Sequence, residues 1–142
     1  MSTIRDAIYS MDENGLWAMV ACAIAVGIAD GRFDPNERNE LIQNLRTVGC
    51  DRGASMEVIN SVLQNINGMG PNDVIDWASE YIADDSVAAA CFVIASAIAA
   101  KAGGIGYKEG VVLQYLANTV GIGYPGDYYM QLLGEGMQLA RG

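Results

Sequence analysis

The chain has 142 residues, 17 acidic side chains against 8 basic ones, no histidine and a formal net charge of −9. That balance makes a phosphate backbone a poor partner, because nucleic-acid affinity rests on Lys and Arg neutralising phosphates, and the missing histidine removes Ser-His and Cys-His nucleophilic pairs and the common zinc sites. Half of the residues (51%) are apolar, mainly Ala, Ile, Val, Leu and Met, so a single all-α domain spanning residues 1–142, with its own core, is expected.

The first segment, Thr3 to Met11, has weak helical spacing, and Asp12-Glu13-Asn14-Gly15 reads as a turn. Leu16 to Ala29 is apolar on nearly every side, which predicts a central helix. An acidic stretch follows, Asp30-Gly31-Arg32-Phe33-Asp34-Pro35-Asn36-Glu37. Within it Asp34 is the expected N-cap, Pro35 the first helical residue and Glu37 the third, reaching back as in a capping box. The helix so started should bury Leu41, Ile42, Leu45 and Val48 and end at Gly49. Cys50-Asp51-Arg52-Gly53 reads as a loop.

Two shorter helices come next, one with Ile59, Val62, Leu63 and Ile66 on a stripe, the other with Val74, Ala78, Tyr81 and Ile82; Gly68-Met69-Gly70-Pro71 separates them. Asp84-Asp85-Ser86 caps a second Ala-rich helix, Val87 to Ala102. Gly103 to Gly106 breaks it, and a helix from Tyr107 to Val120 follows. Gly121-Ile122-Gly123-Tyr124-Pro125 turns the chain into a last helix, Gly126 to Ala140, which Gly134 and Gly136 should each weaken by about 1 kcal/mol relative to alanine. Seven or eight helices and no strand are expected. The small residues of the two Ala-rich helices allow close approach, which predicts an antiparallel central pair related by a pseudo-two-fold.

The pattern contains a repeat. Leu41, Leu45, Thr47, Val48 and Gly49 fall opposite Leu113, Ala117, Thr119, Val120 and Gly121 at a constant offset of 72, while Asp30-Gly31 falls opposite Gly103-Gly104 at an offset of 73. Two diverged helix-loop-helix units, roughly 14–50 and 87–122, follow from this. The arrangement resembles the TerB-like tellurite-resistance family, on the strength of Cys22-Ala23-Ile24-Ala25-Val26-Gly27-Ile28-Ala29, then Asp30-Gly31, Phe33, Asp34 and Glu37-Arg38. The resemblance implies a small all-helical domain in bacterial stress and metal-resistance systems, no established enzymatic activity, and acidic surface residues suspected of holding divalent cations. Of those acids, Asp30, Asp34 and Glu37 carry over; the second unit has Gly103 where the first has Asp30 and keeps only Glu109.

Glu37 and Glu40 are i, i+3 neighbours with Asp34 one turn earlier, so Asp30, Asp34, Glu37 and Glu40 are the candidate ligands for a hard cation such as Ca²⁺ or Mg²⁺. The competing reading is a helix cap plus a solvated acidic face. Neither an EF-hand loop nor a glycine-rich phosphate loop is present. Trp17 and Trp77 are expected to anchor the core, whereas Tyr124, Tyr128 and Tyr129, in a glycine-broken segment, are candidates for a partner-binding surface or for packing back on the domain. Cys22, Cys50 and Cys91 are odd in number and read as reduced thiols, which points to the cytoplasm. Leu16 to Ala29 and Val87 to Ala100 have 14 residues each, short of the ~18 apolar residues of a spanning helix. The functional expectation is a non-enzymatic TerB-like domain in a stress-associated assembly. The alternative is a structural or adaptor module that binds another protein or a second copy of itself.

Overall fold

A computed structural model describes residues 11–31, 33–47, 49–50, 52–100 and 105–141, with Asp30, Arg52 and Ala54 described in backbone only. Seven α-helices and one 3₁₀ turn occur among these residues, without a strand: α1 (Glu13–Gly27), the 3₁₀ turn Ile28–Asp30, α2 (Pro35–Thr47), α3 (Arg52–Asn65), α4 (Pro71–Ser79), α5 (Asp85–Ala100), α6 (Tyr107–Thr119) and α7 (Asp127–Ala140). The expected segment from Thr3 lies outside the described residues up to Met11. So do Val48 and the residues 101–104 that were to end α5.

Asp12-Glu13-Asn14-Gly15 proves to be the start of α1 rather than a turn. The Asp12 carboxylate, in extended conformation, accepts the Gly15 N–H at 3.0 Å, which supplies one of the partners that a helix N-terminus lacks. Gly15 itself is covered by the Met11 side chain. At the other end α1 gives way at Gly27, so Ile28 and Ala29 belong to the tighter 3₁₀ turn. The expected loop at Arg52-Gly53 is also corrected, since α3 already begins at Arg52. Tyr81 and Ile82 lie beyond the end of α4 yet still pack on the core.

The two Ala-rich helices occupy the centre. Every α1 residue from Ala18 to Gly27, and every α5 residue from Val87 to Ala99, is buried. The partner that α1 touches most extensively is α5, and α7 covers α5 almost as broadly. Small side chains on both central helices let apolar atoms meet close to the backbones, where dispersion contacts are densest. Around this pair, α4, α3 and α6 lie on α1, and α6 and α2 lie on α5. One continuous core cluster joins them.

The last helix shows why a glycine can be required where propensity disfavours it. A Cβ at Gly136 would collide with the Ser96 Cβ and come within 2.8 Å of the Val93 carbonyl oxygen, so the α7 backbone rests directly on α5. Gly134 meets nothing within 4 Å. Only Gly134, then, is a plain helix-weakening residue.

Candidate functional site

The two units predicted from the repeat have matching local structure. At the start of α2 the Glu37 N–H donates to Asp34 Oδ1 at 2.8 Å, and the Asp34 N–H donates to Glu37 Oε1 at 3.2 Å. These are the reciprocal bonds of a capping box. At the start of α6, 72 residues later, the Gly106 N–H donates to Glu109 Oε1 at 3.0 Å. Gly106 has no side chain to return the bond, so the second unit keeps half of the box. The apolar residue before each cap, Phe33 in one unit and Ile105 in the other, packs on the core.

The ends match as well. Gly49 (φ 107°) follows α2 and Gly121 (φ 86°) follows α6, each in a conformation that a side chain disfavours. One residue on, the Cys50 N–H reaches the Leu45 carbonyl at 2.8 Å, and the Ile122 N–H reaches the Ala117 carbonyl at 2.9 Å. Both are Schellman-type closures.

Of the candidate cation ligands, Asp34 and Glu37 are brought together and bonded to each other's backbone. Glu40 stands one turn further along α2, half-buried and engaged in an interaction of its own. The Asp30 side chain lies outside what is described. Among the described residues, no group of three or more Asp, Glu, Cys or His side chains is placed to hold a metal ion. The loop nevertheless folds tightly over the end of α1: a Cβ at Gly27 would meet Phe33 Cδ1 at 2.6 Å and Glu37 Oε2 at 3.1 Å.

The three candidate partner-binding tyrosines separate. Tyr124 and Tyr128 are exposed, the latter by 46%, whereas Tyr129 is only 5% exposed. The Tyr129 ring sits 5.0 Å from the Phe92 ring centroid and 4.7 Å, edge-on, from that of Tyr124. Tyr129 is thus removed from the surface and becomes the anchor that fixes the turn, and burial raises its hydroxyl pKa, with a further contribution from Tyr124. The Tyr124 N–H donates to Asn118 Oδ1 at 3.0 Å, and the Tyr124–Pro125 peptide is cis. Met130 adds a further exposed apolar side chain nearby in α7.

Trp17 and Trp77 are half-buried and packed on the core, in edge contact at 5.9 Å; Tyr81 meets Trp77 at 5.7 Å. The three cysteines are free thiols. A hydrogen bond with Cys22 and full burial hold the Cys91 thiol well above the usual range, and burial raises Cys50. A raised pKa depletes the thiolate, the nucleophilic form.

Sequence reasoning missed a second exposed apolar pair, Tyr107 and Val111 on α6. Tyr107 is 86% exposed and lines a cleft of about 480 Å³ with Val111, Lys108, Ala29 and the start of α4. The i, i+4 spacing of Tyr107 and Val111 was the available signal, but it was masked by the adjoining buried stripe of Val112, Leu113 and Leu116. A neighbouring cleft of about 540 Å³ lies between the 3₁₀ turn and the α3–α4 connection, and shares Gly70 and Pro71 with the first.

No described helix is long and apolar enough to cross a membrane. No protein-family model matches the chain, and searches of curated proteins and of solved structures find no match.

Proposed function

We propose that this chain is a non-enzymatic, TerB-like helical domain that works by binding another protein in a stress-associated assembly. The observation that carries the reading is the turn before α7. Tyr124 in that turn and Tyr128 in the first turn of α7 are exposed, while Tyr129, the residue after Tyr128, is buried against Phe92. Exposed tyrosines on a fixed backbone present apolar area with a polar tip, at small cost in lost side-chain freedom, which suits a protein interface. The matched starts and stops of α2 and α6 support the two-unit character on which the family resemblance rests.

The test is affinity capture from the native host with Tyr124→Ser/Tyr128→Ser beside the unchanged chain, with thermal melting measured on both. Loss of a captured partner with a melting temperature within a few degrees of the original is the expected result. An unchanged set of captured proteins would remove the tyrosine turn from consideration. Adjacency of the gene to other tellurium-resistance-type genes would support the assembly part of the reading.

A second reading places a divalent cation, Ca²⁺ or Mg²⁺, at the first unit through Asp30, Asp34, Glu37 and Glu40. It draws on the convergence of Asp34 and Glu37 at the α2 start, which the second unit lacks. Calorimetric titration with both ions tests it: saturable heat that Asp34→Asn/Glu37→Gln abolishes is the expected signature. Absence of binding, or binding unchanged in that variant, leaves the cluster as a cap and an acidic face.

A further inference from the structure

The cleft between α4 and α6 differs from the tyrosine turn in carrying charge of one sign on one bank. Along α4 and its C-cap, Asp73, Asp76 and Glu80 are all exposed and fall at i, i+3 and i+7, which places them on one face of the helix. The opposite bank is α6, packed on α4, with Tyr107 and Val111 exposed one turn apart. The two banks are tied together, since the Tyr115 hydroxyl donates to Asp76 Oδ1 at 2.6 Å. Asp73 and Tyr107 both line the cleft, whose volume of about 480 Å³ falls in the range of ligand clefts, about 300–1,000 Å³. The basic side chain that lines it is Lys108.

From this juxtaposition we infer that the α4–α6 cleft docks a basic amphipathic segment of another protein. An apolar anchor of that segment enters against Tyr107 and Val111, and Lys or Arg residues lie along the Asp73, Asp76 and Glu80 stripe. Charge complementarity selects this occupant. An acidic or phosphorylated segment would meet three carboxylates on a chain whose net charge is already −9. A neutral apolar segment would leave those carboxylates flanking it without a counter-charge. Because the side chains concerned are exposed, their pairing contributes modestly to affinity and more to encounter rate and selectivity, and it weakens as salt rises. The inference rests on the protein-binding reading above but uses a different face.

The probe is a fluorescein-labelled Leu/Lys amphipathic helical peptide, compared with a counterpart carrying Glu at every Lys. Fluorescence anisotropy is measured at two salt concentrations, and ¹⁵N–¹H spectra of the protein map the contact. The expected result is saturable binding of the Lys peptide alone, weakened by salt, with shifts centred on Asp73, Tyr107 and Val111. Tyr107→Ser/Val111→Ser should weaken it at least tenfold. Asp73→Asn/Asp76→Asn/Glu80→Gln should do the same, while Glu13→Gln/Glu57→Gln/Asp127→Asn, which removes equal charge from exposed positions elsewhere, should leave it within about twofold. Equal loss in both triple variants, shifts spread over the whole acidic surface, or insensitivity to Tyr107→Ser/Val111→Ser would overturn the inference. The Tyr124→Ser/Tyr128→Ser variant should bind the peptide normally. Failure of the peptide with partner capture at the tyrosine turn intact would sink this proposal and leave the protein-binding reading standing.

Discussion

The α1–α2 unit and the α5–α6 unit share a plan and differ in what they bury. Both second helices have 13 residues, start with a glutamate bonded back to the cap N–H, and stop at a positive-φ glycine. Yet at positions 72 apart the first unit buries Asn44 on α2 and the second buries Leu116 on α6. Asn44 Nδ2 has no hydrogen-bond partner, so the first unit carries a desolvated amide where the second has a packed aliphatic side chain. The surroundings differ too. α5 is overlaid by α7 at backbone distance at Gly136, whereas the helices laid over α1 are α4 and α3. The two units thus agree where the backbone needs closure, at the helix ends, and differ in the middle, where side chains meet different neighbours.

The largest expected way to break this comparison is Gly136→Val. The collision with Ser96 and the Val93 carbonyl forces α7 off α5, and the loss should be about 3 kcal/mol, read from urea unfolding. Gly134→Ala is its control, and should gain about 0.5–1 kcal/mol, because that position is open and helical. If both glycines behave alike, the close contact of α7 with α5 is wrong.

Making the units alike should stabilise the chain. Asn44→Leu copies the second unit into the first and should gain about 1–3 kcal/mol by removing an unsatisfied buried amide. A loss instead would show that Asn44 has a polar partner in solution.

Gly49→Ala and Gly121→Ala probe the shared stop. Each places a Cβ on a backbone with positive φ and should cost about 1–2 kcal/mol. Similar losses at the two sites would show that the closures are energetically equivalent, and a neutral change at either would separate them.

The caps give the smallest effects. Asp34→Ala should cost roughly 0.5–2 kcal/mol and Asp34→Asn very little, since an amide oxygen can still accept the Glu37 N–H. Gly106→Ser, which supplies the oxygen missing from the second box, should gain only a few tenths of a kcal/mol. A gain as large as the Asp34→Ala loss would mean that the second helix start is frayed rather than half-capped.

Much of the plan could be read directly from residues. The two central helices were visible as apolar runs without a polar face, because a helix that shows no such face has nowhere to go but inside. Asp34-Pro35-Asn36-Glu37 and Gly49 announced the ends of α2 because caps are short-range chemistry, settled within three or four residues. The same locality explains why residues 72 apart in the sequence make matching hydrogen bonds at both ends of α2 and α6. What the residues could not say was which neighbour each face would meet. Gly134 and Gly136 look equivalent in a helix, and only the arrival of α5 makes one of them necessary. Tyr128 and Tyr129 are adjacent and alike, and only the placement of Phe92 sends one inward. Tyr107 and Val111 drew no separate reading from the sequence, and only the position of α4 beside them makes them one bank of a cleft. Propensity, capping and periodicity act along the chain over a few residues; burial and exposure depend on residues distant in sequence, so packing had to decide them.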